Sequence, residues 1–174
     1  MKELLLLRHA KSSWEDPGLS DVARPLASRG RRAAPLMGRE LVRRGWLPDR
    51  VLVSPARRAQ QTWRLVASEL VGAEPDLGSG EGLYMAAPEH LLTVLQEVPE
   101  QVRRVLLVGH NPGMQDFAIR LAGPGSEVDA LERMRQKFPT AAIARFGFEE
   151  EWAGLALGGA RLLDFIKPKD FSPK

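Results

Sequence analysis

The sequence predicts an α/β fold, and three observations predict it. Short apolar runs rich in Leu, Val and Ile alternate along the chain with longer segments whose apolar residues recur at helical spacing. Two of those runs, Leu4 to Leu7 and Val105 to Val108, are apolar at every position, the pattern of a strand covered on both faces. Both then end abruptly on a short polar stretch, Arg8-His9 and Gly109-His110.

Taken in order, residues 3–8 read as the first strand, followed by a polar loop holding Pro17, Gly18 and Pro25. Ser28 is expected to cap a helix that runs to about Arg44. Ala33, Leu36, Met37, Glu40 and Leu41 give that helix a mostly apolar stripe, and Gly45 ends it. Residues 50–53 form a second strand, after which SPARRAQQT leads into a helix through Leu70 with Leu65, Val66 and Leu70 on one side. The glycine-rich segment 75–82 reads as a loop, and Pro88 opens a helix to about Val98 because a first turn needs no proline N–H. Residues 102–110 are the clearest buried strand; 113–121 read as the helix after it, and 123–129 as a flexible connection. Residues 141–148 and 160–166 are two late strands, and 167–174 a tail. With no repeat or long linker, residues 1–174 read as one domain, a length that buries about two thirds of the unfolded surface.

Composition excludes several kinds of function. There is no cysteine, so disulfides, thiolate nucleophiles and zinc-thiolate sites are ruled out. The formal charge is +3, but its 25 basic and 22 acidic residues are interspersed, as on a solvated surface, so nucleic acid is not an expected partner. No apolar run approaches the ~18 residues needed to cross a bilayer. The start MKELLLL breaks at Arg8 without a small-residue cleavage site, so the expectation is no secretory signal, no membrane association and a cytoplasmic protein.

Two of the three histidines, His9 and His110, fall at the carboxyl ends of predicted strands, where open α/β sheets bind ligands. His90, on a helix between Glu89 and two leucines, reads as an ordinary helix residue. Metal binding suits the histidine pair poorly: no carboxylate adjoins either, and a neighbouring guanidinium repels a cation. An anion fits better, since arginine's planar fork matches phosphate oxygens. A neutral imidazole aimed at phosphorus would make such a site one for covalent phosphoryl transfer. After the second strand, Arg57 and Arg58 both lie in a first helical turn. Adjacent helical residues point ~100° apart, so one of them faces the crevice and the other solvent.

Arg8-His9-Ala10-Lys11-Ser12, the stretch Ser54-Pro55-Ala56-Arg57-Arg58-Ala59-Gln60-Gln61-Thr62, and Val108-Gly109-His110-Asn111-Pro112-Gly113 together resemble the histidine phosphatase superfamily. More narrowly, the chain is similar to its small SixA-type branch, the phosphohistidine phosphatases. Ala23-Arg24-Pro25-Leu26, Phe138-Pro139-Thr140-Ala141-Ala142 and the segment 152–169 carry the likeness across nearly the whole chain. The resemblance implies a three-layer α/β/α fold with a mostly parallel sheet, and no metal or organic cofactor. It makes His9 the nucleophile that takes the phosphoryl group, with Arg8, Arg58 and His110 completing the phosphate pocket. Arg58, which directly precedes Ala59, matches the family position that Arg57 does not.

Those roles are physically coherent. Phosphoryl transfer is mostly positioning and charge stabilisation, which two guanidiniums and a histidine supply. His9 must attack through a neutral nitrogen, so its other ring nitrogen is expected to donate to a backbone carbonyl. Phosphoester cleavage also needs a proton donor, a carboxylate in larger superfamily members; Glu81 is the candidate here, set against its reading as a solvated loop carboxylate. A leaving imidazole needs less help, and so short a chain leaves few residues for a lid. Lys11 and Ser12 are further candidate phosphate contacts; Arg24 is expected in a structural salt bridge, Asn111 in its own turn, and Trp14 at the mouth or in the loop. The expected activity is a phosphatase acting on phosphohistidine in a protein, with small phosphate esters as the alternative substrates. A non-catalytic phosphate-binding module is the other reading, and a monomer the expected state.

Overall fold

Leu4 to Leu7 lie at the middle of a sheet, in a strand β1 (Lys2–Arg8) paired on both edges. The computed structural model describes residues 1–171, so the last three positions of the expected tail lie outside the described residues. The other strands are β2 (Arg50–Val53), β3 (Asp76–Leu77), β4 (Arg104–Gly109), β5 (Ile143–Phe148) and β6 (Arg161–Ile166). Their order is β3-β2-β4-β1-β5-β6. β5 alone runs against β1, so the sheet is mostly parallel, as expected.

Five helices cover the sheet: α1 (Ser28–Arg44), α2 (Arg57–Ala67), α3 (Pro88–Gln96), α4 (Gly113–Leu121) and α5 (Val128–Gln136). Alternation along the central strands explains the three layers. Leu4, Leu6, Val105 and Leu107 face a core shared with Leu91 and Leu95 of α3, Phe117 of α4 and Met134 of α5. Leu5, Leu7, Leu106 and Val108 face the opposite core, with Met37 and Leu41 of α1 and Val66 of α2. Each fully buried leucine contributes on the order of 1.5–3 kcal/mol.

Several boundaries differ from the sequence reading. The cap of α1 is Ala27, not Ser28, whose hydroxyl instead accepts from Arg31 Nη2. Ala33 and Leu36 are only half-buried; Ala34 and Gly38 take the inner face, because Gly38 brings α1 against the Val66 carbonyl of α2. Gly45 ends α1 as expected, at φ +72°. α2 stops at Ala67, and Leu70 is reached by a turn in which its N–H donates to the Ala67 carbonyl. The loop 75–82 contains the edge strand β3, whose two residues are exposed and too few to show a strand's alternation. The segment read as a flexible connection to residue 129 gives way to α5 at Val128, where the Glu127 carboxylate accepts from the N–H groups of Asp129 and Ala130.

Candidate functional site

The order β2-β4-β1 sets three carboxyl ends side by side. Arg8 is in register with Gly109 and Val53 with Val108, so Ser54, His110 and His9 leave the sheet together at one edge. The chain just beyond β1 is held from three sides. His9 N–H donates to the Gly109 carbonyl at 3.1 Å, Ala10 N–H to Thr62 Oγ1 of α2 at 2.9 Å, and Ala141 N–H to the carbonyls of Arg8 and His9 at 2.9 and 3.1 Å.

The His9 ring is buried, and its Nδ1 lies 2.7 Å from the Ala10 carbonyl oxygen. A carbonyl only accepts, so Nδ1 carries the proton and Nε2 keeps its lone pair. Burial pushes the His9 pKa down to about 3; the Ala10 bond opposes this, and the charges of His110, Arg58 and Arg8 add to the fall. His9 is therefore neutral at pH 7. The expected backbone carbonyl is thus Ala10's own.

His110 stands beside it, ring centroids 5.2 Å apart. Burial, then the Arg58 charge, lowers its pKa to about 4, with Asp21 opposing. Its Nε2 is 2.7 Å from Ser54 Oγ, and its Nδ1 faces Arg58 Nη2 at 3.5 Å.

Arg58 is buried, whereas Arg57 is exposed and, among the described residues, bonds the Ala23 carbonyl at 3.4 Å and no pocket group. The choice between the two arginines thus falls to Arg58. Its Nη1 donates to the Asp21 carbonyl at 2.7 Å and its Nη2 to Asp21 Oδ2 at 2.9 Å. Arg8 Nη1 donates to the Phe138 carbonyl at 2.9 Å, and Asn111 Nδ2 shares that acceptor at 3.2 Å. Asn111 also works within its own turn, its Oδ1 accepting from Gln115 N–H. Among the described residues, Nε of Arg8 and Nε of Arg58 are buried with no acceptor. Leaving a buried guanidinium N–H unpaired is costly, so both are donors in want of an oxyanion.

Other expected residues are placed differently. Ser12 is buried, but its hydroxyl accepts from Arg24 Nη1 at 2.8 Å, which turns it to the loop scaffold. Arg24 forms the expected salt bridge, Nε to Asp21 Oδ1 at 3.1 Å, and lies 3.5 Å over the exposed Trp14 ring. Glu81 is exposed, and among the described residues no bond joins its carboxylate to the pocket. Two residues that the sequence reading passed over do reach it. Asp21 bonds Arg58, and Tyr84 donates its hydroxyl to Asp21 Oδ2 while its ring edge meets His110 with centroids 5.4 Å apart. These bonds, from Tyr84 first and then Arg58 and Arg24, hold the Asp21 carboxyl far below the usual carboxylate range. A signal for Asp21 existed in its spacing, three residues before Arg24; Tyr84 had none beyond being the sole tyrosine. The site as built offers two free guanidinium N–H groups, two neutral imidazoles and one ionised carboxylate, a set able to seat a phosphoryl group against a nucleophilic nitrogen.

Comparison with known proteins agrees. The chain matches the family model of the histidine phosphatase superfamily (branch 1) over residues 4–84, which contain His9 and Arg58. It is 39% identical over 170 residues to an uncharacterized protein of Mycobacterium tuberculosis strain H37Rv, covering 94% of this chain and 100% of that one. A structure described provisionally as the phosphohistidine phosphatase SixA of Agrobacterium tumefaciens is 30% identical, with TM-score 0.80 over 96% of this chain and 98% of that one. The structure of a protein histidine phosphatase SixA complexed with tungstate shares the fold, at 24% identity and TM-score 0.79 over 98% and 99% of the two chains.

Proposed function

The chain belongs to the histidine phosphatase superfamily, and on that premise we propose that it is a metal-independent phosphatase that takes a phosphoryl group onto His9 from phosphohistidine in a protein. The observation that carries this reading is the 2.7 Å bond from His9 Nδ1 to the Ala10 carbonyl, which leaves Nε2 as a lone-pair nitrogen in a pocket of unsatisfied cationic donors. In the first step the Nε2 lone pair forms a bond to phosphorus, while the bond from phosphorus to the leaving nitrogen breaks and its electron pair stays with the leaving ring. The Nε groups of Arg8 and Arg58 hold the equatorial oxygens, with His110 beside them. In the second step water attacks phosphorus, the pair returns to Nε2, and the water proton goes to the released phosphate.

A macromolecular substrate is supported by the rim. Trp14 is 71% exposed, Met85 48% and Val22 41%. Trp14 stacks on Arg24, which bonds Asp21; Val22 follows Asp21; Met85 follows Tyr84. An exposed aromatic ring held beside one polar pocket, with exposed apolar residues next in sequence to Asp21 and Tyr84, suits a protein surface better than a sugar or nucleotide.

The test compares kcat/KM on a phosphohistidine-bearing protein with that on sugar and nucleotide monophosphates, in the presence of EDTA. The reading expects the protein substrate to be favoured by at least about tenfold, a difference of ~1.4 kcal/mol in transition-state binding. Equal or faster turnover of the small esters would reassign the substrate. Phosphate binding without turnover of any substrate would make the chain a binding module.

A further inference from the structure

Asp21 is the feature that the phosphatase reading leaves unexplained. An acid for ester cleavage must carry a proton, and this carboxylate is ionised. A structural partner for Arg58 should be as buried as Arg58, yet the Asp21 side chain is 43% exposed against 3% for the guanidinium it bonds. Asp21 therefore lies on the solvent side of Arg58. Among the described residues, the charged and titratable groups near it are Arg58, Arg24 and Tyr84, which bond it, and His110, on which its charge acts.

The bonding of this carboxylate is incomplete. An ionised carboxylate offers about four acceptor positions. Oδ2 takes Arg58 Nη2 at 2.9 Å and the Tyr84 hydroxyl, and Oδ1 takes Arg24 Nε at 3.1 Å. Among the described residues, no donor takes the second position on Oδ1. Asp21 also takes both Nη groups of Arg58, one on its backbone carbonyl and one on its carboxylate, and leaves Nε without a partner among the described residues, so an oxyanion bound at Nε would adjoin the carboxylate.

We propose that Asp21 selects phosphohistidine, its carboxylate accepting a hydrogen bond from the far ring N–H of the substrate's phosphoimidazole. This rests on the phosphatase reading above and adds the discriminating residue. A phosphoimidazole protonated on its far nitrogen carries a cationic ring. When the bond from phosphorus to the near nitrogen breaks, the electron pair neutralises the ring, and the departing imidazole keeps its far proton. No proton donor is needed; what helps is an anion that stabilises the protonated ring before transfer. An alkyl phosphate has the opposite requirement, a proton delivered to its bridging oxygen, which an ionised Asp21 does not supply. The same carboxylate thus favours one substrate class and does nothing for the other.

The experiment measures kcat/KM for wild type, Asp21→Asn and Asp21→Glu on a phosphohistidine peptide and on p-nitrophenyl phosphate, whose leaving group has no ring N–H to offer. Because Asp21 also holds Arg58, Asp21→Asn is expected to slow both reactions, but to cost the peptide about tenfold more than the aryl ester, as for a hydrogen bond to a charged group. In the peptide reaction, the pH above which the rate falls is expected to drop in Asp21→Asn, since the anion no longer holds the ring protonated. Asp21→Glu is expected to regain part of the peptide rate. Equal losses on both substrates, or an unmoved pH profile, would reduce Asp21 to a support for Arg58 and overturn the inference while leaving the phosphatase reading intact. Failure of the wild type on both substrates would overturn both.

Discussion

His9 acquires its lone pair from a contact made by its own chain: the Ala10 carbonyl takes the Nδ1 proton, and burial with three neighbouring cationic or imidazole groups keeps the ring neutral. His9→Ala is therefore expected to abolish turnover. Arg58→Ala removes an unpaired donor from the oxyanion and is expected to cost about 10²–10³ in kcat, whereas exposed Arg57→Ala should stay within about threefold. A steady-state comparison of the two arginine variants checks this; equal losses would contradict the placement. The two buried rings also set a pH dependence of stability. Their pKa values fall from 6.5 to about 3 and about 4 in the folded chain, so the unfolded chain binds more protons below 6.5. The stabilisation held above pH 6.5 should drain away as pH falls toward 3, and urea melts of a His9→Gln/His110→Gln variant should show a shallower decline. At this scale Arg8, His9 and His110 were legible because each sits at a strand end or just after one, whereas the helical turn alone left Arg57 and Arg58 open and only the resemblance of the stretch before Ala59 singled out Arg58. Asp21 had only its spacing three residues before Arg24 as a signal, and its bond to Arg58, 37 positions away, had none.

Strand β1 is the element on which the site depends. Its register with β4 brings Arg8 level with Gly109, and its leucines feed both cores. Leu6→Ala opens a cavity in a face closed by α4 and is expected to cost about 2–5 kcal/mol, read as a lower denaturation midpoint at unchanged slope. Gly30 in α1 fits against the chain after β1 because a Cβ there would fall 2.2 Å from the Lys11 carbonyl oxygen. The central strands and the helices α1 to α4 were legible because their apolar runs are long or regularly spaced. α5 was hidden behind Gly123, Pro124 and Gly125, and by a glutamate cap in place of the usual Ser, Thr, Asp or Asn. β3 was hidden because two exposed residues on a sheet edge have no period to read.

Over the whole molecule, alternation of apolar runs and helical segments was enough to yield the α/β class, since few other arrangements cover both faces of a parallel sheet. The insertion of β4 between β2 and β1 was not legible, because strand order depends on long-range pairing. That insertion is what gathers Ser54, His110 and His9. No helix among the described residues is long and apolar enough to cross a membrane. Among the same residues no group of three or more His, Asp or Glu is placed to hold a metal ion, and the pocket's cations are guanidiniums. Turnover is accordingly expected to survive EDTA; its loss on chelation and return with added metal would contradict that. The most direct test of the account is to quench the enzyme during turnover of a labelled phosphohistidine peptide and map the protein-bound phosphate by mass spectrometry. An acid-labile, alkali-stable phosphoryl group is expected on the peptide carrying His9, absent from His9→Ala. Label on another residue, or steady turnover with no label on His9, would contradict it.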